Sequence, residues 1–269
     1  MSTRELPRLL TIAGSDSGGG AGIQADLKTF ASWRVYGMSA LTAVTAQNTL
    51  AVTAVHGIPP EVVMAQIDAV FDDLGVDAVK IGMLGERAVV EAVAAKLAAR
   101  CRVPIILDPV MVAKTGDLLL AADAREALAA ELLPLATLVT PNLPEAEALL
   151  GRRLKTPEER RDGAGELASR GPAVLLKGGH TEGPEVVDLL ATEGGMEEFR
   201  HPRLASRSTH GTGCTLSSAI AANLAWGRPL REAVERGIDF THRAIAEAIP
   251  LGGGHGPVNH LVETECPSP

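Results

Sequence analysis

Short apolar runs alternate along the chain with longer segments whose apolar residues recur at helical spacing. The run 8–13 predicts a buried strand, and Ile23, Leu27 and Phe30 then mark a helix that continues to about residue 34. Strands that alternate with helices of about 10–15 residues predict βαβ units and a mainly parallel sheet. The further predicted strands are 39–45, 52–57, 76–81, 103–107, 138–140 and 173–177, followed by a hairpin of 185–191 with 196–201. The further predicted helices are 60–73, 86–100, 123–133, 143–150 and 156–170, and two long helices close the chain.

The stretch 35–60 contains no Asp, Glu, Lys or Arg. A membrane span needs about 20 mainly apolar residues, whereas Gln47, Asn48 and His56 interrupt this stretch. Two strands buried in a parallel sheet fit the composition better. The N-terminal segment also lacks the pattern of a signal peptide. We therefore expect a soluble, cytoplasmic protein with no membrane partner.

The bulk composition indicates a globular protein, with 269 residues, 46% hydrophobic and 22% charged. No linker, repeat or shift in composition divides the chain, so we predict one doubly wound α/β domain over residues 1–269. The net charge of −8 argues against a nucleic-acid partner but not against a phosphate ligand. Cys101, Cys214 and Cys266 are odd in number and far apart, which indicates a reducing compartment rather than a disulfide framework.

Several polar or small residues follow directly on predicted strands. In open parallel sheets, ligands bind beyond the carboxyl ends of the strands. We therefore expect one edge of the sheet to bring together Gly14, Gln47, Met83, Asp108, Asn142 and Lys177.

The segment 208–215 joins the same edge and runs directly into an apolar helix. Gly211 and Gly213 leave the backbone bare, and a helix that begins here directs unpaired N–H groups and its positive dipole end into the turn. Such a turn binds anions, phosphate above all. The dipole should also lower the pKa of the Cys214 thiol, which makes it a candidate base or nucleophile. An ordinary glycine-rich turn with a buried cysteine explains this segment equally well when it is taken alone.

The substrate-facing candidates each have a plain structural alternative. The glycine cluster at 14–22 matches neither the dinucleotide fingerprint nor the P-loop pattern and is equally consistent with a flexible turn. Asp26 faces either the site or solvent. Gln47 offers both a donor and an acceptor, which suits the edge of an aminated heterocycle, but a polar residue that ends a strand has the same pattern.

A magnesium and polyphosphate site is predicted from four residues. Asp108 follows a strand, and Asn142 and Glu145 lie at one helix start, so that carboxylates and substrate phosphates together could hold hydrated Mg²⁺. Glu145 could instead complement the helix dipole. Lys177 could provide a point charge for a polyphosphate. The histidines, His255 and His260 among them, lack metal-ligand spacing and favour packing or hydrogen bonding over zinc.

Taken together, these segments resemble the bacterial hydroxymethylpyrimidine/phosphomethylpyrimidine kinases of thiamin biosynthesis, in the ribokinase-like superfamily. The resemblance spans essentially the whole chain, and the combination is specific although each motif alone is weak. The segments that carry it are TIAGSD (11–16), GGAGIQADLKT (19–29), TAQNT (45–49), KIGML (80–84), LDPVM (107–111), TPNLPEA (140–146), KGGH (177–180) and HGTGC (210–214).

The resemblance implies a three-layer α/β/α fold, usually in a homodimer, that phosphorylates 4-amino-5-hydroxymethyl-2-methylpyrimidine and then its monophosphate with MgATP. It implies that Gln47 pairs with the aminopyrimidine. The remaining implied pocket residues are Gly14, Asp26, Met83 and Val110. Asp108 and Glu145 are implied for Mg²⁺. The ATP phosphates are implied to meet Lys177, Asn142, Thr209, Gly211 and Gly213. The catalytic turn is implied to consist of Gly211, Thr212, Gly213 and Cys214, whose amides hold the transferring phosphoryl group while Cys214 removes the hydroxyl proton.

One departure keeps other functions open. Sugar kinases of the superfamily have an aspartate base where this chain has Cys214, whereas cysteine occurs both in the pyrimidine kinases and in related vitamin B6 kinases. A pyridoxine/pyridoxal kinase is therefore an alternative. A pyrimidine-sensing domain without catalysis is a third, which the intact metal, phosphate and base positions disfavour.

Overall fold

Within the residues that the structure describes, ten strands form a central sheet and a small hairpin. The strands are β1 Arg8–Ala13, β2 Tyr36–Leu41, β3 Ala43–Gln47, β4 Val52–Gly57, β5 Ala78–Ile81, β6 Ile105–Leu107, β7 Leu138–Val139, β8 Ala173–Leu176, β9 Glu185–Thr192 and β10 Gly195–Pro202. The computed structural model describes residues 6–112, 116 and 119–264. The sheet order is β10-β9-β8-β7-β6-β5-β1-β2. Pairing is parallel from β2 to β8 and antiparallel for β9 and β10, which form the predicted hairpin.

Helices cover both faces of this sheet. They are α1 Gly22–Ser32, α2 Pro60–Ala69, α3 Arg87–Arg100, α4 Ala122–Ala127, α5 Leu143–Leu150, α6 Pro157–Ala168, α7 Thr212–Ala225 and α8 Leu230–Ala246. Successive side chains of a strand point to opposite faces. Leu10 and Ile12 of β1 accordingly pack in one core cluster with α2–α6, and Leu9 packs in a second cluster with α1, α7 and α8. The predicted arrangement of a mainly parallel sheet between two helical layers is confirmed.

The strands β3 and β4 form an antiparallel hairpin separate from the sheet. The sequence predicted two strands, 39–45 and 52–57, both buried in the parallel sheet. Residues 39–41 do lie in that sheet as the end of β2, but the prediction is wrong for 43–45 and for 52–57. The chain leaves the sheet after Leu41, where the backbone N–H of Thr42 donates to the carbonyl of Ala13 (3.1 Å), and most of β4 is exposed. Uncharged, β-branched segments are typical of strands in general, so the pattern could not distinguish between the two sheets.

Two helix starts are fixed by reciprocal capping boxes. At α6 the side chain of Thr156 accepts the backbone N–H of Glu159, and the Glu159 carboxylate accepts the backbone N–H of Thr156. Thr156 is therefore the N-cap of α6, at the first residue of the predicted helix 156–170. Asn142 and Glu145 form the same arrangement at α5. Because α5 follows β7, this capping box lies at the carboxyl edge of the sheet.

None of the helices in the described ranges combines the length and the apolar character that a membrane crossing requires. Cys101 and Cys214 are free thiols. The third cysteine, Cys266, lies outside the described residues.

Candidate active site

A cavity of about 940 Å³ opens at the carboxyl edge of the parallel strands. It brings together all the site residues predicted from the sequence except Asp26. Those that line it are Gly14, Gln47, Met83, Asp108, Val110, Asn142, Glu145, Lys177, Thr209, Gly211, Thr212, Gly213 and Cys214. The residues come from loops that are far apart in sequence, and the order of the parallel strands places them around one space.

The glycine turn before α7 forms one wall of the cavity. Gly211 has a positive φ of 80°, and a Cβ atom there would lie 1.8 Å from the carbonyl oxygen of Gly20, so only glycine fits. Helix α7 begins at Thr212. The backbone N–H groups of Gly213 and Cys214 have no acceptor within the part of the chain that the structure describes. Two amides and a helix dipole are thus available to an anion in this wall.

The thiol of Cys214 does not have the lowered pKa that its position at a helix start predicted. Burial raises the pKa of Cys214 to about 11. The ammonium of Lys80 opposes this shift, while the carboxylates of Asp26 and Asp108 add to it. Desolvation and two negative charges therefore outweigh the helix dipole. Cys214 is a protonated thiol at neutral pH in the ligand-free protein.

Asp108, Glu145 and Lys177 form a charged cluster beside the glycine turn, since a Cβ atom on Gly213 would lie 3.2 Å from Nζ of Lys177 and 3.5 Å from Oδ2 of Asp108. The Nζ atom of Lys177 lies 2.9 Å from Oδ1 of Asp108 and 3.9 Å from Oε2 of Glu145. Although burial alone would lower the pKa of Lys177, the charges of Asp108 and Glu145 raise it. Burial raises the pKa of Glu145 to about 7, and the charge of Asp108 adds to the rise while Lys177 opposes it. Glu145 also accepts the backbone N–H of Asn142 (2.7 Å). The same carboxylate therefore complements the dipole of α5 and lines the cavity.

The donor set of this cluster fits a hydrated magnesium ion. Mg²⁺ is usually held by one or two carboxylates together with substrate phosphates and water. The ammonium of Lys177 already lies between the carboxylates of Asp108 and Glu145, which shows that their combined field favours a cation there. Within the described ranges, no group of three or more His, Cys, Asp or Glu side chains could hold a metal ion, so the arrangement is unlike a closed protein cage.

The other end of the cavity contains Gln47, at a β-bulge where β3 ends. Its Oε1 lies 3.3 Å from the hydroxyl of Thr45, and Ser17 bonds both its backbone N–H and its carbonyl. No described residue accepts a hydrogen bond from its side-chain nitrogen. A Cβ atom on Gly14 would lie 2.2 Å from the terminal methyl of Met83, so any residue larger than glycine at position 14 would narrow the cavity.

Asp16 fixes the first glycine loop and ties it to the second. Its carboxylate accepts the backbone N–H groups of Gly18 (2.8 Å), Gly20 (3.0 Å) and Ala21 (2.8 Å). Nε2 of His210 lies 2.8 Å from the same carboxylate. Since these amides are already bonded, the first loop is not an anion site. Asp16 and His210 had no role in the sequence analysis, although an Asp just before a run of glycines is a recognisable turn signal.

Asp26, predicted to shape the substrate pocket, is fully buried and does not line the cavity. Its carboxylate is paired with Nζ of Lys80 at 2.9 and 3.0 Å. Lys80, also fully buried, lies between it and the cavity space, which it lines. The correction has a simple cause, since a charged lysine inside a buried strand requires a buried carboxylate partner. A lysine among Ala78, Val79 and Ile81 was the signal in the sequence.

The two C-terminal histidines behave differently. His260 is buried, its Nε2 lies 3.1 Å from the hydroxyl of Thr215, and burial lowers the pKa of His260 to about 4, so it is neutral. This is the hydrogen-bonding role that was predicted. His255 is exposed at the rim of the cavity.

The site combines an anion-binding helix start with the ammonium of Lys177 and the carboxylates of Asp108 and Glu145, at the open edge of a parallel sheet. This combination defines a small-molecule phosphotransferase of the ribokinase-like fold. Comparison with known families then narrows the class. The chain belongs to the phosphomethylpyrimidine kinase family, whose model matches residues 16–259.

Individual relatives agree with this family. The chain is 52% identical over 256 residues to the hydroxymethylpyrimidine/phosphomethylpyrimidine kinase of Rhizobium meliloti, covering 94% of this chain and 96% of that protein. It is also 52% identical over 258 residues to the thiamine biosynthesis bifunctional protein ThiED of Geobacter sulfurreducens. That match covers 96% of this chain but only 53% of the longer relative. The pyridoxal kinase of Staphylococcus aureus in complex with AMP-PCP and pyridoxal matches the fold with a TM-score of 0.88, at 34% identity over 96% of this chain and 94% of that one.

Proposed function

We propose that this protein transfers the γ-phosphate of ATP to the hydroxymethyl group of 4-amino-5-hydroxymethyl-2-methylpyrimidine and then phosphorylates the monophosphate, in thiamin biosynthesis. The observation that carries the proposal is that one cavity contains both the unbonded amides of Gly213 and Cys214 and the side chain of Gln47. The amides suit a transferring phosphoryl group, and the amide of Gln47 suits an aminopyrimidine edge. The whole chain, 1–269, acts in this proposal as one kinase domain.

The donor is assigned to the end of the cavity that contains the charged cluster. Lys177, Asn142, Thr209 and the 211–214 turn would meet the phosphates of ATP. Asp108 and Glu145 would hold Mg²⁺ through water, and the bound ion would neutralise charge on those phosphates. Gly14, Met83 and Val110 would shape the acceptor pocket around Gln47.

The two steps place different demands on Cys214. In the first, the acceptor hydroxyl attacks the γ-phosphorus, the bond to the bridging oxygen of ADP breaks, and the hydroxyl proton passes to the thiolate of Cys214. In the second, the acceptor is a phosphate that is already largely ionised at neutral pH and needs no base. Since burial raises the pKa of Cys214 to about 11, the rate of the first step should increase with pH above neutrality.

A vitamin B6 kinase is the second candidate function. It is favoured by the fold match to the S. aureus pyridoxal kinase, but that match has lower identity than the pyrimidine kinase of R. meliloti. The homodimer and the cytoplasmic location are proposals that rest on the family resemblance.

A panel of acceptors tests the proposal. The purified protein is assayed with ATP and Mg²⁺ on hydroxymethylpyrimidine, its monophosphate and pyridoxine, and kcat/KM is measured for each. We expect transfer to both pyrimidines, with pyridoxine at least about tenfold poorer, the difference that 1.4 kcal/mol of transition-state binding produces. An equal or higher kcat/KM for pyridoxine would support the B6 kinase instead. Absence of transfer to all three would favour a sensing domain.

A further inference from the structure

A buried ion pair lies directly beneath the cavity. Nζ of Lys80 on β5 contacts both carboxylate oxygens of Asp26 on α1, and both side chains are fully buried. The hydroxyls of Thr11 (2.6 Å) and Ser218 (2.7 Å) donate to the same carboxylate. Asp26 thus accepts four hydrogen bonds and is fully satisfied.

Lys80 is less completely bonded than Asp26. An ammonium group has three donors, and the two carboxylate oxygens of Asp26 are its acceptors among the described residues. At least one donor is therefore left over on a side chain that lines the cavity. Space around the ammonium is kept open, since a Cβ atom on Gly82 would lie 3.0 Å from Nζ. Burying an ion pair contributes little net stability compared with apolar residues, so stability alone does not explain this pair.

The pair is connected to Cys214 through helix α7. Ser218, which bonds Asp26, follows Cys214 by four residues, so the two share one face of the helix. That helix packs against β1 and β5, the strands of Thr11 and Lys80. The charged groups that act on the thiol are Lys80 from β5, Asp26 from α1, Asp108 from the loop after β6 and Lys177 directly after β8. Burial raises the pKa of Cys214, and among these groups Lys80 opposes the rise most strongly.

We propose that Lys80, held in place by Asp26, is a positioning residue that stabilises the thiolate of Cys214 when it accepts the hydroxyl proton in the first phosphorylation. The inference rests on the proposed function for the catalytic role of the thiolate. It assigns no part to Lys80 in the second phosphorylation, where the acceptor needs no base.

The test removes both charges of the pair, because Lys80→Met alone would leave Asp26 buried without a partner. The variant is Lys80→Met with Asp26→Asn, in which the amide oxygen accepts one of the two hydroxyls of Thr11 and Ser218 and the amide NH2 donates to the oxygen of the other. The matched control is Lys96→Met with Asp68→Asn. Lys96 contacts both oxygens of Asp68 at 2.8 and 2.7 Å, but that pair joins α2 to α3 away from the cavity.

The first readout does not depend on catalysis. Alkylation of Cys214 by iodoacetamide is followed from pH 7 to 10 by mass spectrometry of the peptide that contains it. Below the pKa the rate is proportional to the thiolate fraction, so each unit added to the pKa slows it about tenfold. Loss of the Lys80 charge raises the pKa of the thiol, and loss of the Asp26 charge offsets only part of this rise because Lys80 acts more strongly. We therefore expect alkylation about three- to tenfold slower in the Lys80/Asp26 variant and unchanged in the control. A pH profile that coincides with wild type would overturn the inference.

The second readout separates the two phosphorylations. In the Lys80/Asp26 variant, kcat for hydroxymethylpyrimidine should fall by about the same factor as the alkylation rate, with KM for this acceptor and kcat for the monophosphate nearly unchanged. An equal loss in both steps would mean that the pair only maintains the structure. If wild type phosphorylates neither pyrimidine, the proposed function fails, while the alkylation profile still decides whether Lys80 stabilises the thiolate.

Discussion

The carboxyl group of Glu145 destabilises the folded protein at alkaline pH, and glutamine should relieve this. The side chain is 6% exposed, and burial raises the pKa of Glu145 from 4.5 to about 7. A carboxyl with a raised pKa contributes stability below its unfolded pKa, and this contribution is lost as the pH rises through the folded pKa. We therefore expect Glu145→Gln to match wild type near pH 4.5 and to be more stable than wild type above pH 7.

The size of the effect follows from the shift. One pKa unit corresponds to about 1.4 kcal/mol, so the gain above pH 8 should be on the order of 3 kcal/mol. In a protein of this length each kcal/mol moves Tm by about 2–4 °C, which gives a rise of roughly 6–12 °C. The amide oxygen of glutamine can still accept the backbone N–H of Asn142, so the start of α5 should be unchanged.

Calorimetry of the ligand-free proteins at pH 5 and pH 8.5 measures this effect. Glu159→Gln is the matched control, since Glu159 has the same position in the capping box of α6 but is only partly buried. There, hydrogen bonds from the backbone of Thr156 and Lys155 lower the pKa of Glu159, so its replacement should destabilise the protein at pH 8.5. The reasoning is refuted if Glu145→Gln melts at or below the wild-type temperature at pH 8.5.

Three further substitutions test the assignment of the cavity. Gln47→Ala should reduce kcat/KM for hydroxymethylpyrimidine by the factor that corresponds to about 1–3 kcal/mol of transition-state binding, because polar edges of the ligand lose a partner, and it should not lower Tm. An unchanged kcat/KM in steady-state kinetics would show that Gln47 is not part of the site. Lys177→Ala should raise KM for ATP but not for the acceptor, and a KM for ATP equal to wild type would contradict its role. Gly213→Val should slow both phosphorylations by roughly 10²-fold or more, since its Cβ would lie 3.2 Å from Nζ of Lys177; step-resolved assays that show loss in only one step would count against the shared anion site.

The sequence predicted the site most reliably where local chemistry sets the geometry. Two of the predicted features depend only on a few neighbouring residues and on the dipole of one helix. They are the capping arrangement of Asn142 and Glu145 at the start of α5 and the glycine turn just before α7. Parallel strand order then brings such elements to one edge, so Asp108, Lys177 and Gln47 were expected together. The structure confirms that they line one cavity.

The sequence failed where the result depends on three-dimensional burial. The pKa of Cys214 was expected to be lowered by the helix dipole, but desolvation, which no local pattern reveals, raises it to about 11. The family resemblance placed Asp26 in the pocket, and no local pattern could reveal that Lys80, 54 residues away, contacts both of its carboxylate oxygens. The departure of β3 from the sheet is a long-range choice of the same kind.

The measurement that tests the central claim most directly compares wild type with Cys214→Ser on each acceptor separately. Serine keeps the backbone amides and the helix dipole of the turn but ionises far less readily than the thiol. The account predicts that phosphorylation of hydroxymethylpyrimidine falls by roughly 10²–10⁴-fold, the range for loss of a general base, while phosphorylation of the monophosphate falls far less. Equal losses in both steps would contradict the account and leave Cys214 as a packing or anion-binding residue.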